Sequence, residues 1–263
     1  MGPARPPSRT SLVVAIVAIA VVAVLAIVGI GIGVFYVSLG SLKRSTPTPV
    51  GPLTASSAVN ATRGSVVYSD DFHDSASGWT TQTLPSGTTF TYTAGGYVIV
   101  AKGTLDHFAT SPYTKPVQQV AISVMASQAA DAPVGAGYGV SCWRGTNAAE
   151  IRYDFIVTTG GDWAVDRRDG GVASSTPLIL KRGKSSAPLG STPLAIQGMC
   201  ATLADQHTIR LILFAGKQSL ADFTDSATTL PDAGWFADLM VTSEAIRPTT
   251  VTATRFEVRD LSQ

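Results

Sequence analysis

Apolar residues follow two patterns along the chain, a continuous run near the N-terminus and an alternation of apolar and polar positions afterwards. The run covers 11–42 and contains no charged residue. About 20 apolar residues cross the hydrocarbon core of a bilayer, so the stretch 12–39 can span it with some tilt. A cleaved secretory signal has a shorter apolar region, and no small-residue A-x-A site closes this run before Lys43. We therefore predict an uncleaved transmembrane signal-anchor at 11–42, with a long cleaved signal peptide as the alternative.

Basic residues flank the apolar run unequally. Arg5, Arg9 and the α-amine precede it, whereas Lys43 and Arg44 follow it. The more basic flank of a membrane helix is usually cytoplasmic. We therefore expect residues 1–10 to form a cytoplasmic tail and the C-terminal portion to lie outside the plasma membrane, as in a single-pass protein.

Two glycines inside the apolar run, Gly29 and Gly33, have G-x-x-x-G spacing. Such spacing lets two membrane helices approach each other closely. These glycines are a candidate contact for a homodimer, although glycine is also common in membrane helices that do not dimerise.

A stretch rich in Ser, Thr, Pro and Gly follows the apolar run at 43–64. It has too few apolar residues to bury and is typical of a flexible, partly extended tether. The remaining residues, 65–263, number about 200, which suits one domain of sandwich or barrel type.

From residue 65 onward apolar side chains recur at every second position, which is the period of a half-buried β-strand. Clear examples are Val120, Ile122 and Val124; Ile151, Tyr153 and Phe155; Ile209, Leu211 and Leu213; and Thr254, Phe256 and Val258. Turn signals such as Gly95-Gly96 and Gly160-Gly161 separate these runs. Many short strands between regular turns predict an all-β sandwich or barrel of roughly eleven to thirteen strands.

Charge is distributed unevenly between the two parts of the chain. Five of the 19 Lys and Arg residues precede Ser65, and all 18 Asp and Glu residues follow it. The β-rich part is therefore mildly acidic, with a net charge of −4. Nucleic-acid-binding domains usually carry a basic patch, so nucleic acid is not an expected partner.

The chain has two cysteines, Cys142 and Cys200. An even number in a domain outside the cytoplasm favours a disulfide, and two separate buried thiols are the alternative. A bridge that closes a loop of this length would stabilise the fold by roughly 4 kcal/mol in the chain-entropy model.

Several short motifs in the β-rich part share a family pattern. They are Asp70-Asp71-Phe72, Ser75-Ala76-Ser77-Gly78-Trp79, Ala94-Gly95-Gly96-Tyr97-Val98-Ile99, Tyr138-Gly139-Val140-Ser141-Cys142, Tyr153-Asp154-Phe155, Trp163-Ala164-Val165, Ile209-Arg210-Leu211, Ala215-Gly216-Lys217 and Thr254-Arg255-Phe256-Glu257-Val258. With these motifs, 65–263 resembles the concanavalin A-like (laminin-G-like) jelly-roll domains of bacterial surface proteins. The resemblance implies a two-sheet antiparallel sandwich whose first and last strands pair. It also implies ligand binding, often to sugars, or scaffolding, and some relatives hydrolyse glycosides.

Catalytic carboxyl groups are hard to find in the sequence. Glycoside hydrolysis needs two of them across the scissile bond, and similar jelly-roll glucanases carry both in an E-x-D-x-x-E strand motif. None of the three glutamates starts that motif: Glu150, Glu244 and Glu257. Asp162, Asp166 and Asp169 could pair in principle, but charged residues on a strand face are usually solvated. There is also no G-x-S-x-G elbow, so we do not expect an enzyme.

The densest acidic cluster contains Asp70, Asp71 and Asp74. Calcium prefers carboxylate and carbonyl oxygens, so these three residues are candidate calcium ligands. The alternative is that they cap the turn after the first strand, while Phe72 and Trp79 anchor that turn in the core. No other cofactor is expected.

The best candidate for binding is one face of a sheet. If the alternate residues of three consecutive strands point inward, then Trp143, Arg152, Asp154, Asp166 and Arg168 point outward together. An aromatic ring beside paired charges suits a sugar, which stacks on the ring and hydrogen-bonds through its hydroxyl groups. The alternative is a solvated face whose cross-strand ion pairs contribute little stability.

Together these patterns predict a membrane-anchored extracytoplasmic protein with a non-catalytic binding module, whose ligand is an envelope carbohydrate or a surface partner. One alternative is a structural or sensory ectodomain without a small ligand. A carbohydrate-processing enzyme is the other, less favoured alternative.

Overall fold

The part of the chain that a computed structural model describes is 64–262, apart from 147–148, 171–175, 227–229, 232 and 244. The signal-anchor at 11–42, the tail before it, the two glycines inside it and nearly all of the tether lie outside the described residues. Their structure, and the orientation of the anchor, therefore stay predictions. Within the described ranges, no helix is long and apolar enough to cross a membrane.

The described residues form fifteen strands and no long helix. The strands are β1 (Ser65–Asp70), β2 (Gln82–Thr83), β3 (Thr89–Thr93), β4 (Gly96–Gly103), β5 (Asp106–Thr110), β6 (Gln119–Gln128), β7 (Gly137–Arg144), β8 (Ile151–Thr158), β9 (Asp162–Asp169), β10 (Leu178–Lys184), β11 (Leu194–Thr202), β12 (Ile209–Ala215), β13 (Gln218–Asp225), β14 (Phe236–Thr242) and β15 (Ala245–Asp260). The predicted number of strands was too low, because strands as short as β2 contain too few residues to show an alternation.

The strands build two antiparallel sheets. The back sheet has nine strands in the order β13-β12-β11-β6-β15-β4-β3-β2, with β1 also paired to β15. The front sheet has six strands in the order β10-β9-β8-β7-β14-β5. The expected pairing of the first and last strands is therefore confirmed, and so is the two-sheet antiparallel sandwich.

Alternate side chains of the two sheets fill the space between them. Tyr138, Val140 and Cys142 of β7 point inward and are fully buried. A disulfide joins Cys142 to Cys200 of β11, with Cα atoms 6.5 Å apart. It therefore ties the front sheet to the back sheet, and the alternative of two separate thiols is wrong.

Two turns between consecutive strands contain glycines that need a left-handed backbone. Gly161 has φ +79° between β8 and β9, and Gly216 has φ +57° between β12 and β13. Glycine adopts such angles without the steric cost that a Cβ atom would impose. These turns bring consecutive strands back as antiparallel neighbours.

Candidate functional site

Three consecutive strands of the front sheet carry the five predicted binding residues. β7, β8 and β9 form a meander in which Trp143 lies opposite Arg152, and Arg152 lies opposite Arg168. Asp154 lies opposite Asp166 in the neighbouring row. Tyr153, between Arg152 and Asp154, belongs to the core, and Arg167, between Asp166 and Arg168, pairs with Asp225 of the back sheet. The structure therefore places all five on the face directed away from the back sheet, and binding by that face stays a prediction.

Strand β14 adds two residues that sequence reasoning missed. Phe236 pairs with Trp143, and Asp238 pairs with Ser141, so both extend the same two rows. The alternation of Phe236-Ala237-Asp238-Leu239 was a signal for their outward direction. Nothing in the sequence indicated that β14 lies beside β7, because β7 and β14 are far apart in the chain.

Strand β5 shows that this face is concave. Asp106 forms an ion pair with Arg168 of β9, although three strands separate β5 from β9 in the sheet. In a flat sheet the two strands would be about 19 Å apart, since neighbouring strands are about 4.8 Å apart. Arginine and aspartate side chains cannot span that distance together. The front sheet must therefore curl toward its outer face, which we call the concave face.

Phe108, the next outward residue of β5, lies across the same curl. The guanidinium of Arg152 is 4.5 Å from the centre of the Phe108 ring, and that of Arg168 is 5.7 Å away. Arginine is attracted to the face of an aromatic ring at such distances. Phe108 therefore covers part of the two arginines, and the sequence offered no sign of this contact.

The charged residues of the concave face form linked ion pairs. Arg152 donates to Asp238 (2.5 Å) and to Glu150 (3.2 Å). Arg168 donates through Nε to Asp154 (2.7 Å) and also pairs with Asp106. We call these residues, together with Asp166, the charged cluster: Asp106, Glu150, Arg152, Asp154, Asp166, Arg168 and Asp238.

The charged cluster is more buried than the alternative of a solvated face expects. Arg152, Asp166 and Arg168 are 4–7% exposed, and Asp154 and Asp238 are fully buried. Isolated buried charges are costly, so such groups are normally paired and hydrogen-bonded. The cross-strand ion pairs of the solvated-face alternative are therefore present, but most of their charged groups are buried, because the curl of the sheet and the side chains of β5 cover them.

Asp166 differs from the other carboxyl groups of the charged cluster. Its Oδ1 atom is buried and has no hydrogen-bond partner in the described part of the chain. Burial, and then the nearby carboxylates of Asp154 and Asp106, raise the pKa of Asp166 to about 7, while Arg168 opposes the shift. Its carboxyl group therefore gains and loses a proton near neutral pH.

Asp154 is held by several donors. Ser141 Oγ donates to its Oδ1 atom (2.5 Å), and Arg168 Nε donates to its Oδ2 atom (2.7 Å). Burial raises the pKa of Asp154, while Arg152, Arg168 and the bond from Ser141 oppose that rise. Both oxygens are thus already engaged inside the protein.

A half-buried aromatic pair borders the charged cluster. The rings of Trp143 and Phe236 stack with centroids 4.6 Å apart and an interplanar angle of 22°. Trp143 Nε1 donates to Asp238 Oδ1 (3.0 Å), which fixes the orientation of the indole. The Arg152 guanidinium lies 5.6 Å from the Trp143 ring centre. An apolar surface and hydrogen-bonding groups therefore lie side by side.

The carboxyl pairing considered among Asp162, Asp166 and Asp169 does not occur. Asp162 lies at the other end of β9, where it pairs with the exposed Lys184 (2.9 Å). Asp169 pairs with Arg167 (3.2 Å). Only Asp166 belongs to the charged cluster, and its carboxyl neighbour is Asp154 of β8.

The candidate calcium residues hold the backbone of the first turn. Asp70 accepts hydrogen bonds from the Phe72 amide (2.7 Å) and the Trp79 indole (2.9 Å). Asp71 and Asp74 each accept a backbone amide two residues later. Phe72 and Trp79 are buried, as the capping alternative expects. Among the residues described, no group of three or more His, Cys, Asp or Glu side chains could hold a metal ion.

The paired sheets and the concave face define the class of the domain, an antiparallel jelly-roll sandwich of the galectin and concanavalin A-like type. A GH16 protein of a mixed-linkage glucan PUL from Bacteroides ovatus, solved with a product, matches 73% of this chain and 99% of its own, with a TM-score of 0.51 and 10% identity. A Bacillus subtilis protein of unknown function with a galectin-like fold matches 75% of this chain and 97% of its own, with a TM-score of 0.51 and 8% identity. Likeness at these identities shows the fold alone.

No protein-family model and no curated protein matches the sequence. The fold is therefore assigned from the structure. The narrower laminin-G-like assignment stays a prediction.

Proposed function

We propose that this protein is a membrane-anchored, extracytoplasmic carbohydrate-binding module that acts without catalysis. Its binding site is the concave face of the front sheet. One observation carries the proposal: the half-buried pair of Trp143 and Phe236 lies directly beside the buried charged cluster.

A carbohydrate fits this combination of groups. The apolar face of a sugar ring stacks on an aromatic side chain, while its hydroxyl groups need donors and acceptors that are held in place. Trp143 is oriented by Asp238, and Asp238 is in turn held by Arg152. The site is therefore preorganised, which lowers the entropic cost of binding. A fold shared with a glucan-associated protein supports the proposal without establishing it.

The proposal of a non-catalytic role rests on the burial and the hydrogen bonds of Asp154. Directly opposed residues of an antiparallel pair have Cβ atoms about 5 Å apart, so Asp154 and Asp166 have a separation of the kind seen in retaining glycosidases. This observation makes a carbohydrate-processing enzyme the second candidate. However, Asp154 is fully buried, and Ser141 and Arg168 already occupy its two oxygens. A nucleophile needs an oxygen that no other group occupies, so we favour binding over hydrolysis.

The proposed location outside the membrane is supported by the disulfide. Disulfides persist in oxidising compartments and are rare in the cytosol. The Cys142–Cys200 bridge joins the two sheets, which suits a domain displayed on the tether at 43–64. We also propose that two copies of the membrane anchor form a homodimer through Gly29 and Gly33.

Replacing Trp143 with alanine tests the binding site. We expect the full chain, purified in mild detergent, to bind soluble cell-wall polysaccharide, and Trp143→Ala to bind it roughly tenfold more weakly because the stacking surface is lost. Trp143→Phe should retain part of the affinity, because it keeps a ring. Isothermal titration calorimetry measures all three dissociation constants.

The matched control is Phe214→Ala, which removes a half-buried aromatic ring from the back sheet. It should bind as the unchanged protein does. Equal binding by Trp143→Ala would contradict the assigned face, and no binding by any version would favour the structural or sensory role. Release of new reducing ends during incubation would favour the enzyme.

A further inference from the structure

The carboxyl groups of the charged cluster outnumber its cations. Asp106, Glu150, Asp154, Asp166 and Asp238 supply five carboxyl groups, against two guanidinium groups from Arg152 and Arg168. Arg152 pairs with Glu150 and Asp238, and Arg168 pairs with Asp106 and Asp154. The fifth carboxyl group, that of Asp166, forms no ion pair within the described ranges.

The unpaired carboxyl group of Asp166 is also buried. Asp166 is 7% exposed, and its buried Oδ1 atom accepts no hydrogen bond from any described residue. Buried polar atoms in proteins nearly always have partners, and an unsatisfied one costs free energy. Within the described residues, no group therefore donates a hydrogen bond to the Oδ1 atom of this carboxyl group.

The described side chains on the strands next to Asp166 do not provide such a donor. Across β8 it faces another carboxyl group, Asp154, and the curl of the sheet adds Asp106. On β10 the opposed residue is the apolar Ile179, and the exposed Arg182 is opposite Ala164 further along the strand. Arg168 lies on the same strand and already pairs with two aspartates.

We propose that Asp166 receives the ammonium group of a ligand, and that the ligand is a glycan containing amino sugars with free amino groups. An ammonium group supplies both missing elements, a positive charge and up to three hydrogen-bond donors. A divalent cation does not fit, since the described residues contain no group of three ligating side chains that could hold one. This inference rests on the proposed carbohydrate-binding function.

The aromatic pair favours a sugar as the carrier of the ammonium group over a lysine side chain. On the same face, Trp143 of β7 lies two strands and one row away from Asp166 of β9, and Phe236 of β14 lies three strands away. One pyranose ring of a glycan can stack its flat apolar face on this pair, while the amino group of a neighbouring ring reaches Asp166. A lysine side chain offers a charge at the end of a flexible stem and no ring to stack.

Protonation of Asp166 gives the site a pH dependence. Burial and the carboxylates of Asp154 and Asp106 raise the pKa of Asp166 to about 7. Below that pH its carboxyl group is mostly neutral and attracts an ammonium group less. A sugar amine is less basic than an α-amino group, because its hydroxyl and acetal oxygens withdraw electrons, and it loses part of its charge toward pH 7. Between pH 5 and 7 this loss is smaller than the gain in ionised Asp166, which is roughly tenfold per pH unit well below its pKa. Affinity for an amino-sugar glycan should therefore rise with pH over this range.

The experiment compares two oligosaccharides of equal length, a glucosamine oligomer and its fully N-acetylated form, as ligands of the full chain in detergent. At pH 7 we expect the glucosamine oligomer to bind about tenfold more tightly, because acetylation removes the charge. Asp166→Asn should reduce this preference to near one. The control Asp222→Asn changes an ion-paired carboxylate on the back sheet and should leave the preference intact.

A neutral glucan and a lysine oligomer complete the set of ligands. Binding of the acetylated or neutral glycans with no preference for the amine would overturn the inference and leave the proposed function standing. Binding of no glycan at all would overturn both. Equal affinity for the lysine oligomer would also overturn the inference, since any ammonium group would then suffice.

A second measurement does not depend on the folding of the variant. Affinity of the unchanged protein for the glucosamine oligomer is measured at pH 5, 6 and 7, beside affinity for the acetylated form. The amine-specific preference should increase with pH. A preference that stays constant or decreases would contradict the role of Asp166.

Discussion

At the scale of single residues, the chemistry of Asp166 depends on its cross-strand partner. Asp222 of the back sheet, for example, forms an ion pair with Arg210 (2.7 Å). Asp166 instead lies opposite another carboxyl group and beneath the curl of the sheet. Like charges and low exposure both disfavour ionisation. An ordinary strand residue thereby becomes a group that binds a proton near neutral pH.

Replacement of Asp166 should make the domain less sensitive to pH. The folded-state pKa of about 7 lies above the ordinary value near 3.8, so the folded state binds more protons than the unfolded state between these values. The resulting loss of stability is absent below about pH 4, grows as pH rises and is complete above about pH 7. Asp166→Asn should therefore gain stability relative to the unchanged protein as pH increases, on the order of 2–4 kcal/mol at pH 8.

Thermal unfolding of both proteins at pH 4, 6 and 8 checks this expectation. The difference in melting temperature should widen toward pH 8. A difference in melting temperature that is the same at all three pH values would mean that Asp166 titrates in the folded protein as it does in the unfolded chain.

At the scale of the elements, the meander of β7, β8 and β9 could be predicted, and its neighbours could not. Alternation and glycine turns give the inward and outward residues of consecutive strands, because side chains alternate with a period of two. The strands β14 and β5 join the same sheet from distant parts of the chain. No local pattern encodes that pairing, so Phe236, Asp238, Asp106 and Phe108 were missed.

The close packing of β11 against β8 provides a test at this scale. A Cβ atom on Gly198 would lie 2.4 Å from Cδ2 of Phe155, a fully buried core residue. Gly198→Ala should therefore destabilise the domain by about 1–3 kcal/mol, because the ring has no free space to move into.

The matched control is Gly190→Ala, where no atom lies within 4 Å of the added Cβ. It should change stability by less than about 0.5 kcal/mol or stabilise slightly through the unfolded state. Urea unfolding measures both variants, and equal stabilities would show that the front and back sheets separate enough to accept the methyl group.

At the scale of the whole domain, the disulfide is the covalent link between the two sheets. Cys142 and Cys200 are separated by 58 residues in the chain. Cross-linking residues this far apart reduces the entropy of the unfolded chain. The bridge therefore stabilises the sandwich as a unit and leaves the local pairing of strands unchanged.

Removal of the bridge should lower the stability of the domain without changing its fold. We expect Cys142→Ala/Cys200→Ala to unfold at lower urea concentration, with a loss of about 4 kcal/mol in the free energy of unfolding. Near-ultraviolet circular dichroism should show that native packing persists in the absence of urea. An unchanged midpoint would mean that the bridge contributes nothing beyond the packing of the two sheets.

The sequence by itself determined the all-β class, the inward and outward residues of the central strands and the shared face of the five predicted binding residues. These features follow from local rules, since the period of the side chains and the glycine turns are visible in any short window. The disulfide was also predictable, because two cysteines allow one pairing.

Only the tertiary structure determined that this face carries a buried, ion-paired charged cluster. The partners of Arg152 and Arg168 in β14 and β5 lie 86 and 62 residues away along the chain. The curl of the front sheet turned an expected solvated surface into a buried charged cluster. Burial and long-range pairing are properties of the assembled sheets, and a carboxyl group such as that of Asp166 acquires its unusual protonation only within them.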